Sequence, residues 1–83
     1  MDNLIVLVAE DELPQRRALR DALTKLWPEI TEVVECANGS EALTALREKQ
    51  PQVAFLDIRM PGHSGLEVAK AASEQAHVVL SLL

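Results

Sequence analysis

Aromatic residues are almost missing: there is one Phe, one Trp and no Tyr. The core must therefore be aliphatic, because Phe55 and Trp27 cannot fill it. Cysteine is scarce as well. The single Cys36 excludes an internal disulfide or a multi-cysteine zinc site and is expected to be a small buried hydrophobe in a strand. Positive charge is in deficit, with 8 Lys+Arg against 13 Asp+Glu and a net charge of −5. The electrostatic footprint of a nucleic-acid binder is thus lacking, and the balance suits a protein that holds a divalent cation. Long apolar runs are absent. The stretch Leu4–Ala9 is too short for a membrane span and has no basic flank. The expected compartment is the cytoplasm.

What is present fits one small globular domain. A length of 83 residues allows no second one, and core burial is marginal below roughly 100 residues. The composition is 48% hydrophobic and 25% charged, with no low-complexity tract, linker or internal repeat.

The chain is organised around Val53-Ala54-Phe55-Leu56-Asp57. Pro51 bounds this run before and Pro61-Gly62 after, so it is strand length. An apolar run without alternation predicts a strand covered on both faces, as in a parallel sheet. Leu4–Ala9 has the same character and runs straight into Glu10-Asp11-Glu12. Pro14 suits the first turn of a helix. Ala18, Leu19, Ala22, Leu23 and Leu26 then recur at helical spacing, with Arg16, Arg17, Arg20 and Lys25 mostly on the other face. Trp27-Pro28 ends that helix, and Trp27 is read as a plug.

Thr31–Ala37, β-branched and more polar, predicts an edge or near-edge strand. Asn38-Gly39-Ser40 is a turn able to cap a helix whose stripe is Ala42, Leu43, Ala45 and Leu46 and whose stop is Pro51. Ser64 and Glu67 form a candidate capping box for a third helix reaching about Gln75. His77–Leu83 begins a fourth strand. The order β-α-β-α-β-α-β implies a doubly wound parallel sheet with helices on both faces, joined by right-handed crossovers.

In such a sheet, ligands sit outside the carboxyl ends of the strands, where the strand order reverses. Neighbouring first and third strands would bring Glu10, Asp11 and Asp57 together there. Three carboxylates in a small space need either a proton or a cation. Hard oxygen donors favour Mg²⁺. Asp57 beside it could attack a phosphoryl group and carry it as an acyl phosphate.

Other phosphate chemistries fit less well. A dinucleotide site needs a Gly-rich turn where Glu10-Asp11-Glu12 stands, and the P-loop pattern is absent. A phosphatase of the haloacid dehalogenase type would want a second Asp at Arg59. On these residues alone, solvated strand-end and cap carboxylates remain an open alternative. His63 is read as a solvent-exposed loop residue and His77 as the entry cap of the fourth strand.

Three motifs together carry a resemblance. They are Val8-Ala9-Glu10-Asp11-Glu12, then Asn38-Gly39 with Glu41-Ala42-Leu43, then Leu56-Asp57-Ile58-Arg59-Met60-Pro61-Gly62 with Gly65-Leu66-Glu67. In this register the sequence closely resembles the receiver domain of two-component response regulators, from residue 4 to about 70. The resemblance implies a flavodoxin-like, three-layer αβα fold with strand order 2-1-3-4-5. It implies Asp57 as phosphoacceptor, taking phosphate from a histidine kinase. It implies Mg²⁺ held by Glu10, Asp11 and Asp57, with the backbone carbonyl of Arg59 as a further ligand. Met60-Pro61 would shape the loop beside the site, and Gly65 would permit close approach at the start of the third helix. The module would be a signalling part, not an enzyme. The wording from Leu56 to Leu66 is common in regulators with a LytTR-type DNA-binding effector.

Departures from the family bear on function. The chain, residues 1–83, is expected to be a receiver truncated after strand 4, lacking helix 4, strand 5 with its Lys, and helix 5. The family's switch hydroxyl falls on Leu82, with Ser81 one residue early. A one-residue offset turns a strand side chain to the other face, so Ser81 is a poor stand-in. Strand 4 would be an exposed apolar edge and helix 1 would lose a neighbour, so homo-oligomerisation through these two is expected. The alternative function is an oligomerising interaction module with little or no phosphotransfer.

Overall fold

The computed structural model describes residues 3–60 and 65–81. The elements follow in the order β1 (Ile5–Ala9), α1 (Leu13–Leu26), β2 (Glu32–Cys36), α2 (Gly39–Lys49), β3 (Val53–Asp57), α3 (Gly65–Ala72) and β4 (His77–Ser81). The strands form one parallel sheet in the order β2-β1-β3-β4. Strand order reverses between β1 and β3, which pair from Val6↔Val53 to Ala9↔Leu56. The β3–β4 register sets the Asp57 backbone opposite Ser81. Ser64 of the expected capping box, the Pro61-Gly62 turn, His63 and Leu82 lie outside the described residues.

Side-chain alternation assigns the two faces. Leu7, Ala54 and Leu56 point to the side covered by α2 and α3, where they pack with Ala42, Leu46 and Val68. Burying each of the larger side chains contributes about 1.5–3 kcal/mol. Val6 and Val8 point to the other face, under α1, and are fully buried. The core is aliphatic, as the shortage of aromatics requires, and Cys36 belongs to it.

Asn38 caps α2 by accepting the Glu41 N–H at 2.8 Å, while the Glu41 carboxylate accepts the Ala37 N–H at 2.7 Å. The first bond satisfies a donor that the first helical turn leaves open, and the second ties the residue before the cap to the same turn. The helix ends at Gln50, which takes a left-handed conformation with φ 49° before the buried Pro51. At the start of α1, Pro14 lies in the first turn. The Glu12 side chain makes no cap; instead the Glu10 carboxylate accepts the Glu12 N–H at 2.9 Å.

Three details differ from the sequence reading. First, α1 has no fully buried residue, and its faces are not divided by charge. Leu26 is 81% exposed, whereas the Arg16 side chain is only 14% exposed, because Arg16 and Arg20 turn back to Glu35 on β2. Second, β3 is closed on one face only. α1 packs over β1 and β2, so Val53 and Phe55 stay half-buried on its side. Third, α3 stops at Ala72 instead of Gln75. Its last turn tightens, with the Gln75 N–H donating to the Ala72 carbonyl, while the Gln75 side-chain amide donates to the Leu46 carbonyl of α2.

At the N-terminal end of the sheet, polar side chains supplement the ladder on both sides of β1. The Thr31 hydroxyl accepts the Leu4 N–H and donates to the Leu4 carbonyl. The Gln52 side chain accepts the Ile5 N–H and donates to the Asn3 carbonyl, while its backbone N–H donates to the Ile5 carbonyl and its own carbonyl accepts the His77 N–H. The opposite, C-terminal end carries the carboxylates. No helix among the described residues is long and apolar enough to cross a membrane.

Candidate functional site

Glu10, Asp11 and Asp57 meet at the carboxyl edge of β1 and β3. Each offers an oxygen, and these oxygens lie within 4.8 Å of one another. The three differ in setting: Asp57 is 6% exposed, Glu10 is half-buried and Asp11 is open to solvent. β3 ends directly on Asp57 because the chain turns there, and the Arg59 N–H donates to Asp57 Oδ1 at 2.9 Å. That bond orients the carboxylate and supports its charge.

Two backbone bonds hold Glu10. Its N–H donates to the Cys36 carbonyl of β2 at 3.0 Å, and its carbonyl accepts Arg16 Nη1 at 2.9 Å. Its carboxyl is raised above the usual range. Burial is the main cause, aided by a hydrogen bond with Asp11 and the charge on Asp57; the bond from the Glu12 N–H opposes them. A carboxyl held this way gains from a cation as its neighbour.

A cleft of about 540 Å³ opens over the acids, lined by Glu10, Asp11, Glu12, Gln15, Asp57 and Arg59. Beside it, Phe55, Leu19, Val79 and Leu80 line an apolar hollow of about 100 Å³ next to Asp57. The donor set fits Mg²⁺: hard carboxylate oxygens, one pair on a loop and one buried, with room beside them for water and phosphate oxygens. Asp57 places a carboxylate oxygen at the edge of this cleft while remaining 6% exposed.

All three acids expected at this edge are thus brought together. Arg59 contributes its backbone beside Asp57, and Ser81 lies opposite Asp57 in backbone register. Met60 is 7% exposed and packs into the core on the α2/α3 side, so it fastens the loop after Asp57. Gly65 lies against the strand end, as expected. A Cβ there would contact the Ile58 Cα and come within 2.6 Å of the Asp57 carbonyl oxygen.

Arg16 and Glu35 were not among the expected site residues. Burial opposes the charge on Glu35, but hydrogen bonds from Arg16 and Arg20 outweigh it and lower its carboxyl below the usual value. A signal existed in the spacing of Arg16 and Arg20, four residues apart and therefore on one helix face. Cys36, below Glu41, has its thiol pushed up to about 11 by burial and by that neighbouring charge, and is not a reactive thiol.

Sheet order, crossovers and the position of the acids define the class: a flavodoxin-like receiver fold with an acidic pocket at its switch point. The response regulator receiver domain model matches residues 6–81, and the chain belongs to that family. An uncharacterised response regulatory protein of Vibrio cholerae is 43% identical over 74 residues, covering 89% of this chain and 28% of that protein. The sensory transduction protein LytT of Oceanobacillus iheyensis is 40% identical over 68 residues, 78% of this chain and 26% of that protein. The chain therefore spans under a third of these curated relatives. Among solved structures, the Thermotoga maritima response regulator TrrA in complex with Mg²⁺-BeF superposes with a TM-score of 0.81 at 34% identity, covering 93% of this chain and 67% of that one.

Proposed function

We propose that this chain is the phosphoacceptor module of a two-component system, taking a phosphoryl group from a histidine kinase onto Asp57. One observation carries the proposal: the oxygens of Glu10, Asp11 and Asp57 converge within 4.8 Å around a nearly buried Asp57 whose carboxylate is oriented by the Arg59 N–H. The Mg²⁺-BeF complex of the TrrA relative supports the same assignment.

In the proposed transfer, a carboxylate oxygen of Asp57 attacks the phosphorus of a phosphohistidine. The phosphorus–nitrogen bond breaks, and its electron pair returns to the imidazole nitrogen. The product is an acyl phosphate on Asp57. Glu10, Asp11, Asp57 and the Arg59 carbonyl would hold Mg²⁺, which when bound supplies countercharge for the phosphoryl oxygens. The Arg59 N–H keeps the carboxylate rotamer fixed during approach. Burial of the Asp57 stem limits access of water to the carbonyl carbon of the acyl phosphate.

Residues 1–83 act as one receiver module, cytoplasmic and without turnover of a substrate of their own. A LytTR-type DNA-binding effector is the corresponding output, and the similarity to LytT supports it. Ser81 lies opposite Asp57 in backbone register but one residue before the family's switch position, which makes it a poor stand-in for the switch hydroxyl. Exposed Val79 and Leu80 on β4, with Leu13 and Leu26 on α1, support self-association through those elements.

The test is intact mass after incubation with Mg²⁺ and a small-molecule phosphodonor. A single phosphoryl adduct is expected on the wild type and none on Asp57→Asn or in the presence of a chelator. A folded wild type that gains no adduct would overturn the proposal.

A further inference from the structure

The geometry points to Arg16 as the positioning residue of the acidic pocket: its guanidinium, anchored on Glu35 of β2, holds the main chain of Glu10 so that Glu10 and Asp11 converge on Asp57. This assignment rests on the reading of that pocket as a Mg²⁺ site.

The guanidinium is used as a fork. Nη1 donates to the Glu10 carbonyl at 2.9 Å, and Nε donates to Glu35 Oε1 at 3.1 Å. Arg16 is 14% exposed and Glu35 21%, so both groups are largely withdrawn from solvent. The Glu10 carbonyl belongs to the peptide that launches Asp11, so fixing its plane fixes the direction in which Asp11 leaves. On the other side of Glu10, the N–H is held by the Cys36 carbonyl, from the residue after Glu35. Both backbone groups of Glu10 are therefore referred to the end of β2. Arg16 is itself seated by a bond from its N–H to the Glu12 carbonyl, one turn above the loop it holds. Arg20 Nη1 takes the second oxygen of Glu35 at 2.9 Å, so the anchor cannot rotate away. Arg17, 57% exposed and 3.8 Å from Glu35, belongs to the charge cluster.

Geometry and charge make opposite forecasts, which allows a clean test. Arg16 is a cation next to a site for a cation. If only its charge mattered, removing it would tighten Mg²⁺ binding. If it positions Glu10 and Asp11, removing it will weaken binding. Lysine retains the charge but lacks the planar fork needed to reach both partners.

The experiment is a calorimetric Mg²⁺ titration of the wild type, Arg16→Lys, Arg16→Ala, Glu35→Gln and Arg17→Ala. It is run cold enough that circular dichroism shows each variant folded, and melting temperatures are recorded in parallel. Arg16→Lys and Arg16→Ala should raise the Mg²⁺ dissociation constant about 10-fold, the scale found when the outer support of a metal ligand is lost. Glu35→Gln should shift it the same way, and Arg17→Ala should leave it unchanged. Should Arg16→Ala fail to fold, Arg16→Lys decides the matter, because it keeps the charge and loses the fork. Arg16 variants that melt earlier yet bind Mg²⁺ like the wild type would overturn the assignment, leaving Arg16 as a plain tie between α1 and β2. A wild type that binds no Mg²⁺ would overturn the pocket reading and this assignment with it.

Discussion

The Gly65 Cα lies so close to the end of β3 that a Cβ would come within 2.6 Å of the Asp57 carbonyl oxygen. The first turn of α3 is thus packed on the backbone of Asp57 and Ile58, with no room for a side chain. Glycine serves here for close approach of two backbones.

Gly65→Ala must therefore push α3 away from Asp57-Ile58 or bend the strand end. Overpacking of this kind costs about 1–3 kcal/mol. In a domain of this size, each kcal/mol corresponds to a melting temperature lower by about 4–8 °C. The phosphoryl adduct should decline as well, because the distortion falls on Asp57. Urea unfolding with a wild-type midpoint would show that the contact is relaxed at no cost.

Acid should dissolve the tie between α1 and β2. The Glu35 carboxyl is lowered in the folded state from an ordinary 4.5, so its contribution is fully present above that value and fades as pH falls through the folded value. The stability gap between the wild type and Glu35→Gln should stay constant from neutral pH down to the ordinary value, then shrink below it. Urea titrations at successive pH values measure this gap. A gap that persists undiminished into strong acid would contradict the linkage.

Self-association is expected at the β4 edge, where Val79 is 39% and Leu80 41% exposed. Sedimentation equilibrium should show a species larger than the monomer, and charge at the edge, as in Val79→Lys with Leu80→Lys, should dissociate it. A wild-type monomer over the accessible concentration range would refute this.

β1 and β3 were legible because short apolar runs ended on acids and prolines; alternation of the elements implied a parallel sheet, and the strand order came only from the family resemblance. Glu10, Asp11 and Asp57 were legible for the same reason, since a strand's last residue is set by where its apolar run stops. The arginines of α1 were harder. Their charge reads as solvent-facing, yet the heads of Arg16 and Arg20 reach Glu35 and their side chains are largely withdrawn from solvent. Only the sheet register brings Glu35 there, beside Val8. The Arg16 bond to the Glu10 carbonyl had no signature at all, because every residue has a carbonyl. The end of α3 was misjudged because Ser73, Glu74 and Gln75 do not break helices; a tightened turn and the Gln75 bond to Leu46 end it.

Thr31 and Gln52 make the start of β1 a socket. A slip of β1 against β2 or β3 would break these side-chain bonds together with the ladder, so the strand base is fixed while the tips bear the load. Any rearrangement at the acids should then be taken up as a beam clamped at one end takes up a load: the free end bends and the clamp holds.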